Sequence, residues 1–323
     1  MAGDNNPVLR NKDLEERIML PQMDAEKVAD EIGDFMINEI TSIGYKGGVI
    51  GLSGGVDSTV SAALAKRAFD SYNSKNPDNP LELLGYILPS AMNSSKDTED
   101  GIKVAETLGI RYFINPIDEN LQSYKKGQPQ LFNNNSDARK CLGNLMAEIR
   151  ATILHSEAGL YKMLVIGTGN KDEDFRLNYY TMFGDGAVHI NPLGNLPKRL
   201  VKQMAVHLGF RAAASREPTA ALEPNQTDFK DIGYRYETGE IISEGFEQGL
   251  TRKQVINNPI VTALCRNDIN DYRSLFGKDK FTSASEIVGN VVSRNLISQG
   301  KMRIIHPPSA PVTLIYDYGN QQR

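Results

Sequence analysis

A glycine-rich hexapeptide, Ser53-Gly54-Gly55-Val56-Asp57-Ser58, lies between an apolar run and an alanine-rich segment of helical character. Adjacent glycines let the backbone turn tightly with its N–H groups inward, and the helix that follows adds the positive end of its dipole. Its hydroxyl groups can donate to phosphate oxygens, and Asp57 can bind Mg²⁺. The stretch therefore predicts a phosphate-binding loop. The alternative is a glycine turn in which Ser58 caps the helix.

Charge and cysteine content narrow the class of protein. The formal net charge is −4, so no basic surface favours a nucleic acid or an anionic membrane. Cys141 and Cys265 lie far apart and form no CxxC pair, which is typical of a reducing compartment. No apolar run approaches the roughly 20 residues that span a bilayer. We therefore expect a cytoplasmic protein without nucleic acid or membrane partners.

Apolar runs alternate with amphipathic segments along the first half of the chain. Strands are predicted near 49–52, 83–88, 110–117 and 163–166, and helices near 24–42, 98–108 and 138–156. This alternation predicts an α/β fold with a doubly wound, mostly parallel sheet and helices on both faces. We expect one domain over residues 1–323, with a C-terminal tail at about 301–323 that docks onto it.

A second glycine-rich junction, Gly167-Thr168-Gly169-Asn170-Lys171-Asp172-Glu173, also follows an apolar strand. The carboxyl ends of parallel strands share one edge of a sheet, so Glu173 and Asp57 are expected to converge and share a Mg²⁺ that bridges ATP phosphates. The alternative is a solvated acidic helix start.

Taken together, these motifs resemble the ammonia-dependent NAD synthetases of the N-type ATP pyrophosphatase superfamily. The matching segments are Ser53–Ser58, Pro89-Ser90, Ser94-Ser95, 167–173, 183–186, 191–194 with Lys198, 218–220, 226–228 and 232–234. The resemblance implies that ATP activates the carboxylate of deamido-NAD as an acyl-adenylate, and that ammonia then forms the amide. The chain leaves no room for a full glutaminase domain beside the synthetase, so free ammonia, or a separate partner protein, is expected to supply the nitrogen. A homodimer is also implied.

Site residues follow from the same resemblance. Asp57, Glu173 and Lys198 are the implied catalytic residues, with Asp57 and Glu173 as ligands of Mg²⁺. The implied ATP-binding residues are Gly51, Ser53, Gly54, Gly55, Val56, Asp57, Ser58, Thr59, Ser95, Thr168, Lys198 and Thr219. The segment 215–231 is expected to act as a mobile lid. Read alone, Lys198 would be an ordinary surface lysine.

The acceptor-binding positions depart from the family pattern. The implied substrate-binding residues are Asn144, Glu148, Met182, Asp185 and His189. Lysine or arginine usually stands at the positions of Met146, Glu148 and Met182, and an acid at that of His189. Arg150 or Arg176 is a candidate to supply the lost charge. One extra residue also lies between Glu173 and Thr181.

Two other functions remain open at this point. The altered pocket favours a different carboxylate acceptor, and a catalytically silent nucleotide-binding homologue is the second alternative. The Ser-Gly-Gly-Val-Asp-Ser spelling also occurs in GMP synthetases and tRNA thiolases, which the later motifs and the acidic charge fit less well.

Overall fold

The computed structural model describes residues 17–92, 94–133, 135–219 and 226–316. In chain order the strands and helices are β1 (Pro21–Gln22), α1 (Ala25–Ser42), β2 (Gly47–Gly51), α2 (Val56–Lys75), β3 (Glu82–Ile87), α3 (Ser95–Leu108), β4 (Arg111–Ile114), α4 (Asp118–Gly127), α5 (Ser136–Tyr161), β5 (Leu164–Ile166), α6 (Lys198–His207), α7 (Arg211–Ser215), α8 (Asp228–Ile232), α9 (Tyr236–Glu247), α10 (Arg252–Asn257), α11 (Pro259–Phe276), α12 (Ala284–Met302) and β6 (Ile315–Tyr316). A 3₁₀ turn covers Pro129–Phe132, and a π-helical turn covers Asp172–Arg176.

The main sheet has four parallel strands in the order β4-β3-β2-β5. From β2 the chain builds outward through β3 and β4, and it then returns to add β5 on the other side of β2. The direction of strand addition thus reverses between β2 and β5. In open parallel sheets, ligands bind at the carboxyl ends of the strands beside such a reversal.

Both faces of this sheet are buried, which confirms the predicted doubly wound α/β class. Successive residues of β2 face opposite sides: Val49 joins the cluster with Met146 of α5, and Ile50 joins the cluster with Ile32 of α1. All of these side chains are almost completely buried. Each contributes about 1.5–3 kcal/mol relative to an exposed position.

Several predicted strands and helices begin or end at other residues in the structure than the sequence predicts. The strand predicted near 110–117 is wrong at its carboxyl end, because β4 stops at Ile114. The helix predicted from 98 begins at Ser95, since Ser94 and Asp97 form a reciprocal capping box at its start. The π-helical turn, Asp172–Arg176, overlaps the interval between Glu173 and Thr181 where one extra residue was expected. Such a turn accommodates one residue more than an α-helical turn.

Helices α9 to α12 form a further layer with its own apolar cluster, which includes Ile242, Val255 and Val288. The sequence analysis did not place these helices. The chain beyond α12 runs back to the sheet layer, where Pro308 accepts the Asn191 N–H at 2.8 Å and Ala310 accepts from Asn195 Nδ2 at 2.9 Å. Strand β6 pairs antiparallel with β1. The tail residues after 316 lie outside the described residues, and the single-domain organisation stays a prediction.

Candidate active site

The first glycine-rich loop turns at the carboxyl end of β2. Gly54 adopts φ +75°, a conformation that L side chains rarely take, and an added Cβ would lie 2.6 Å from Asp100 Cβ. Helix α2 begins at Val56, so its first backbone N–H groups lie at the loop. Ser53 and Ser58 face each other across the turn, with their Oγ atoms 3.0 Å apart. Sequence and geometry therefore both give an anion-binding loop.

Arg216 holds this loop against helix α3. Its Nη1 donates to Gly54 O at 3.1 Å and to Asp100 Oδ2 at 2.9 Å, and its Nη2 pairs with Asp97. The carbonyl of Gly54 is thus drawn toward α3. The arginine was not among the predicted site residues, because nothing in its sequence context marks it.

Hydrogen bonds and ion pairs with buried side chains hold the second junction, after β5, in place. Asp172 accepts from Arg176 Nη1 at 3.1 Å and from the Lys198 backbone N–H at 2.8 Å. Arg176 also pairs with Glu244 at 2.5 Å and with Glu247 at 2.9 Å, and it is 1% exposed. Arg176 is therefore committed to a buried network, so it does not supply the acceptor pocket with a cation.

Asn170 joins the two junctions. Its Nδ2 donates to Asp57 Oδ1 at 3.0 Å, while its Oδ1 accepts the backbone N–H groups of Asp172 and Glu173, each at 3.1 Å. One buried amide thus fixes the position of one carboxylate and orients the turn that carries the other. Asn170 was not a predicted site residue, although its position in the Gly-Thr-Gly-Asn motif could have identified it.

Lys198 lies between the two carboxylates, as the expected convergence requires. Its Nζ is 2.5 Å from Asp57 Oδ2 and 2.7 Å from Glu173 Oε1, and the residue is 3% exposed. Burial alone would lower the pKa of Lys198, but the two carboxylates outweigh it and raise the pKa above its ordinary value. The lysine is therefore charged, and it is a buried site residue instead of a surface one.

Glu173 has a strongly perturbed environment. Burial is the largest cause that raises its pKa to about 7; Lys198 opposes this shift, while Asp57 and Asp228 add to it. The hydroxyl of Tyr236 lies 3.0 Å from Glu173 Oε1 and 2.8 Å from Asp228 Oδ2. A tyrosine hydroxyl has one hydrogen, so Tyr236 divides its donation between the two carboxyl groups. Neither Tyr236 nor Asp228 was a predicted site residue, although Asp228 ends the quoted Gln-Thr-Asp motif.

The donor set fits Mg²⁺ bound together with a nucleotide. The Lys198 ammonium already lies between Asp57 and Glu173, which shows that this gap suits a cation. In the described part of the chain, no group of three or more histidine, cysteine, aspartate or glutamate side chains is arranged to hold a metal. Mg²⁺ commonly takes one or two carboxylates and completes its shell with phosphate oxygens and water.

Both junctions open into one cleft of about 1100 Å³. The predicted residues that line it are Gly51, Ser53, Gly55, Val56, Asp57, Ser58, Asn144, Thr168, Glu173, Asp185, Lys198 and Thr219. Arg150 also lines the cleft and donates through Nε to Leu88 O at 2.9 Å. A single concave surface therefore joins the phosphate loop to the expected acceptor region.

The remaining predicted residues lie elsewhere among those that the structure describes. Thr59 is completely buried and donates to Gly55 O at 2.7 Å, and Ser95 is the first residue of α3. Gly54 has no side chain, and its carbonyl oxygen accepts a hydrogen bond from Arg216 Nη1. Direct contact of Thr59 or Ser95 with ATP is therefore not supported.

Three acceptor-binding residues are also placed outside the cleft. Glu148 and Met182 are not among the residues that line it, although their neighbours Ala147 and Thr181 are. His189 Nδ1 accepts the Val165 N–H at 2.8 Å, which fixes the histidine to strand β5. Burial and the neighbouring His155 lower the pKa of His189. Direct substrate contacts of these residues are not supported.

Glu240 of α9 anchors helix α6 next to Lys198. It is completely buried and accepts from Arg199 Nε at 3.0 Å and Nη2 at 2.9 Å. Burial, with repulsion from Asp172, raises the pKa of Glu240 to about 7, although Arg199 opposes the shift. Since the folded-state pKa exceeds the ordinary glutamate value of 4.5, the stability contribution is full below that value and is lost as the pH rises through about 7.

Glu240→Gln is expected to remove this pH dependence. Between about pH 5 and pH 8, the free energy of unfolding of the wild type should fall relative to that of the variant, on the order of 2 kcal/mol. Urea unfolding at the two pH values measures the difference. Glu237→Gln, on the same helix with a side chain 44% exposed, is the matched control. If the free energy of unfolding depended on pH in the same way in both variants, the pH dependence could not be assigned to Glu240.

The predicted lid, 215–231, is described only at its two ends, and 220–225 lie outside the described residues. Those ends are linked, because the Asp228 N–H donates to Pro218 O at 3.0 Å. We expect ATP with Mg²⁺ to increase hydrogen-exchange protection across 215–231, since Thr219 lines the cleft. Peptides from α11 serve as the internal control. Equal protection with and without ATP would argue against a lid.

The parallel sheet order and the likeness to solved structures give this chain the adenine nucleotide alpha hydrolase-like fold. Among solved structures, an NH3-dependent NAD synthetase from Campylobacter jejuni has the same fold, with a TM-score of 0.60 and 24% identity over 87% of this chain and 97% of that one. A structure of NMN synthetase from Francisella tularensis matches with a TM-score of 0.62 and 27% identity over 81% of this chain and 98% of that one. The family model for NAD synthase matches residues 28–280, and the chain therefore belongs to the NAD synthase family.

Curated relatives agree with that membership. An NH(3)-dependent NAD(+) synthetase of Methanococcoides burtonii is 36% identical over 217 residues, which is 67% of this chain and 78% of the relative. The one of Methanocaldococcus jannaschii is 35% identical over 234 residues, 71% and 85% of the two chains. The chain is accordingly an ATP-using ligase of NAD biosynthesis, which sets aside the silent homologue. None of the described helices has the length and apolar character to cross a membrane.

Proposed function

We propose that this protein converts deamido-NAD to NAD with ATP and ammonia, through an acyl-adenylate, and releases AMP and pyrophosphate. The observation that carries the proposal is the buried Lys198 between Asp57 and Glu173, at the point where strand addition reverses. Family membership supports the reaction class. The names of the curated relatives support ammonia as the nitrogen donor.

In the adenylation step, a carboxylate oxygen of the acceptor forms a bond to the α-phosphorus of ATP, and the bond from that phosphorus to pyrophosphate breaks. The loop from Ser53 to Ser58 binds the phosphates through backbone N–H and hydroxyl groups. The Lys198 ammonium lies at the mouth of this loop and offsets charge on the departing pyrophosphate. Mg²⁺, held by Asp57 and Glu173, would add electrophilic assistance at the phosphate oxygens.

In the amidation step, the nitrogen of ammonia attacks the acyl carbon, the bond to AMP breaks, and the nitrogen loses a proton. No protein nucleophile is required, so the chain contributes mainly position and charge. Asp185 lies in the acceptor part of the cleft, where it accepts the Thr181 N–H at 2.8 Å. Asp185 and Asn144 are the two family-implied acceptor residues that line the cleft.

The test is mass spectrometry of the products formed from ATP, ammonium, Mg²⁺ and deamido-NAD. NAD, AMP and pyrophosphate are expected in equal amounts. Glutamine in place of ammonium should give no NAD. Pyrophosphate exchange without NAD formation would overturn deamido-NAD as the acceptor while retaining the adenylating site.

A second candidate acceptor is the mononucleotide analogue, nicotinic acid mononucleotide. Two observations favour it: the likeness to the Francisella NMN synthetase, and the absence of cations at Met146, Glu148 and Met182. Met146 is 1% exposed within the core beside the sheet, so that position offers the cleft no polar group. The same assay with both acceptors in competition decides between them through the ratio of kcat/KM values.

We also propose a cytoplasmic homodimer organised as one domain. The biosynthetic role and the family resemblance support this assignment. Light scattering tests the dimer, cell fractionation tests the location, and limited proteolysis tests the domain organisation.

A further inference from the structure

Three of the cations that line the cleft come from elements other than the two glycine-rich junctions. Lys140 projects from α5, Lys280 lies in the turn between α11 and α12, and Arg294 belongs to α12. They come from separate elements and open into the same space. Tyr179 and Asp231 line the cleft with them.

The bonds of Lys280 and Arg294 go to uncharged oxygens. Lys280 Nζ donates to Lys230 O at 3.1 Å and to Asp231 O. Arg294 donates to Asn290 Oδ1 at 2.9 Å and to Leu177 O at 3.0 Å. Within the described ranges, neither side chain forms an ion pair, whereas Arg176 and Arg216 each pair with two or more carboxylates.

The cations also repel one another. Burial is the largest cause that lowers the pKa of Lys280, and the nearby charges of Arg294, Lys278 and Lys140 lower it further, against the opposing effect of Asp231. Like charges held together in a cleft disfavour the unliganded state, and an anion relieves that repulsion. This grouping therefore indicates an anionic ligand.

The position relative to the reacting groups indicates which anion it is. Asp231 accepts from Tyr179 at 2.8 Å and belongs to the same short helix as Asp228, which contacts the Tyr236 hydroxyl beside Glu173. Lys140 lies one turn before Asn144 on α5, and Asn144 Oδ1 accepts from Thr181 Oγ1 at 2.9 Å. The cations are therefore grouped with the residues of the expected acceptor region. The family match ends at residue 280, so Arg294 and α12 lie beyond it.

We propose that Lys140, Lys280 and Arg294 form a subsite for a phosphate group of the acceptor nucleotide. The subsite takes over the role of the cations missing at positions 146, 148 and 182. This inference rests on the proposed function, since it concerns how the same acceptor is bound.

The test uses Lys140→Ala and Lys280→Ala, with Lys278→Ala as the matched control. Lys278 carries the same charge in the same turn as Lys280 and adds to the repulsion on it, but it does not line the cleft that the ligand would occupy. It therefore separates direct contact with the ligand from the general charge of this turn. For deamido-NAD and nicotinic acid mononucleotide, each cleft variant should raise KM about 10- to 100-fold, because a charge-assisted hydrogen bond is lost. KM for ATP should change by less than about twofold, and Lys278→Ala should resemble the wild type.

Nicotinic acid riboside lacks the phosphate. It therefore distinguishes a loss of phosphate recognition from a general disturbance of the cleft. The wild type should use it poorly, and the two cleft variants should use it as well as the wild type does. An unchanged KM for the phosphate-bearing acceptors in both variants would overturn the subsite. An equal loss with the riboside, or with Lys278→Ala, would also overturn it.

Failure of the subsite and failure of the proposed function give different results. If the wild type amidates these acceptors but the variants match it, only the subsite is overturned. If the wild type amidates none of them while it exchanges pyrophosphate with ATP, the acceptor assignment and the subsite are both overturned.

Discussion

Asp57→Asn is expected to lower kcat/KM for adenylation by about 100- to 1000-fold while the fold stays intact. Asparagine keeps the shape and can still hydrogen-bond Asn170, but it loses the charge that attracts Lys198 and would bind Mg²⁺. Glu173→Gln should act similarly, because it removes the partner carboxylate. ATP–pyrophosphate exchange measures the effect, and circular dichroism checks the fold.

Asp70→Asn is the matched control, since Asp70 lies on the same helix, is exposed and pairs only with Lys66 among the described residues. Its exchange rate should equal that of the wild type. Near-normal pyrophosphate release by Asp57→Asn or Glu173→Gln would remove the assignment of these carboxylates to the metal.

Lys198→Met is expected to reduce both activity and stability. Without the ammonium, the carboxylates of Asp57 and Glu173 face each other in a buried site, and loss of one partner from a buried ion pair costs about 3–5 kcal/mol. The variant should therefore show a lower Tm that millimolar Mg²⁺ restores in part. Pyrophosphate exchange should fall by about 100-fold or more, because the departing charge loses its counter-ion.

Lys202→Met provides the comparison one turn along the same helix, where the lysine is 29% exposed and lies 3.5 Å from Glu237. Its Tm should change little and should not respond to Mg²⁺. A Lys198→Met protein with the wild-type Tm and exchange rate would show that Lys198 is not part of the site.

The sequence alone was sufficient for the fold class and for the meeting of Asp57 with Glu173. Both inferences depend on short-range signals: apolar runs that alternate with helices, and glycine turns directly after strands. The same signals misjudged the length of β4, because a strand end is set by pairing with its neighbour, and β3 offers partners only up to Ile87.

Other site features depend on contacts that are distant in sequence. Tyr236 reaches Glu173 across 63 positions, and Arg216 reaches Gly54 across 162. No local pattern marks such partners. The family resemblance named both Asn144 and Glu148 on α5, yet only Asn144 lines the cleft, because the packing of the helix against the sheet decides which side chains reach it. Arg176 was a reasonable cation for the pocket until Glu244 and Glu247 proved to surround it.

The ammonium of Lys198 would compete with a bound Mg²⁺ for the carboxylates of Asp57 and Glu173. Free Mg²⁺ would have to displace an amine that the fold holds in place, whereas Mg²⁺ that arrives with ATP would bring phosphate oxygens as new partners for that amine. Binding of the metal and of the nucleotide should therefore be positively coupled, and thermodynamic reciprocity requires the coupling to be equal in both directions. The resting protein would then discriminate between a bare divalent ion and the magnesium–nucleotide complex before any chemistry begins.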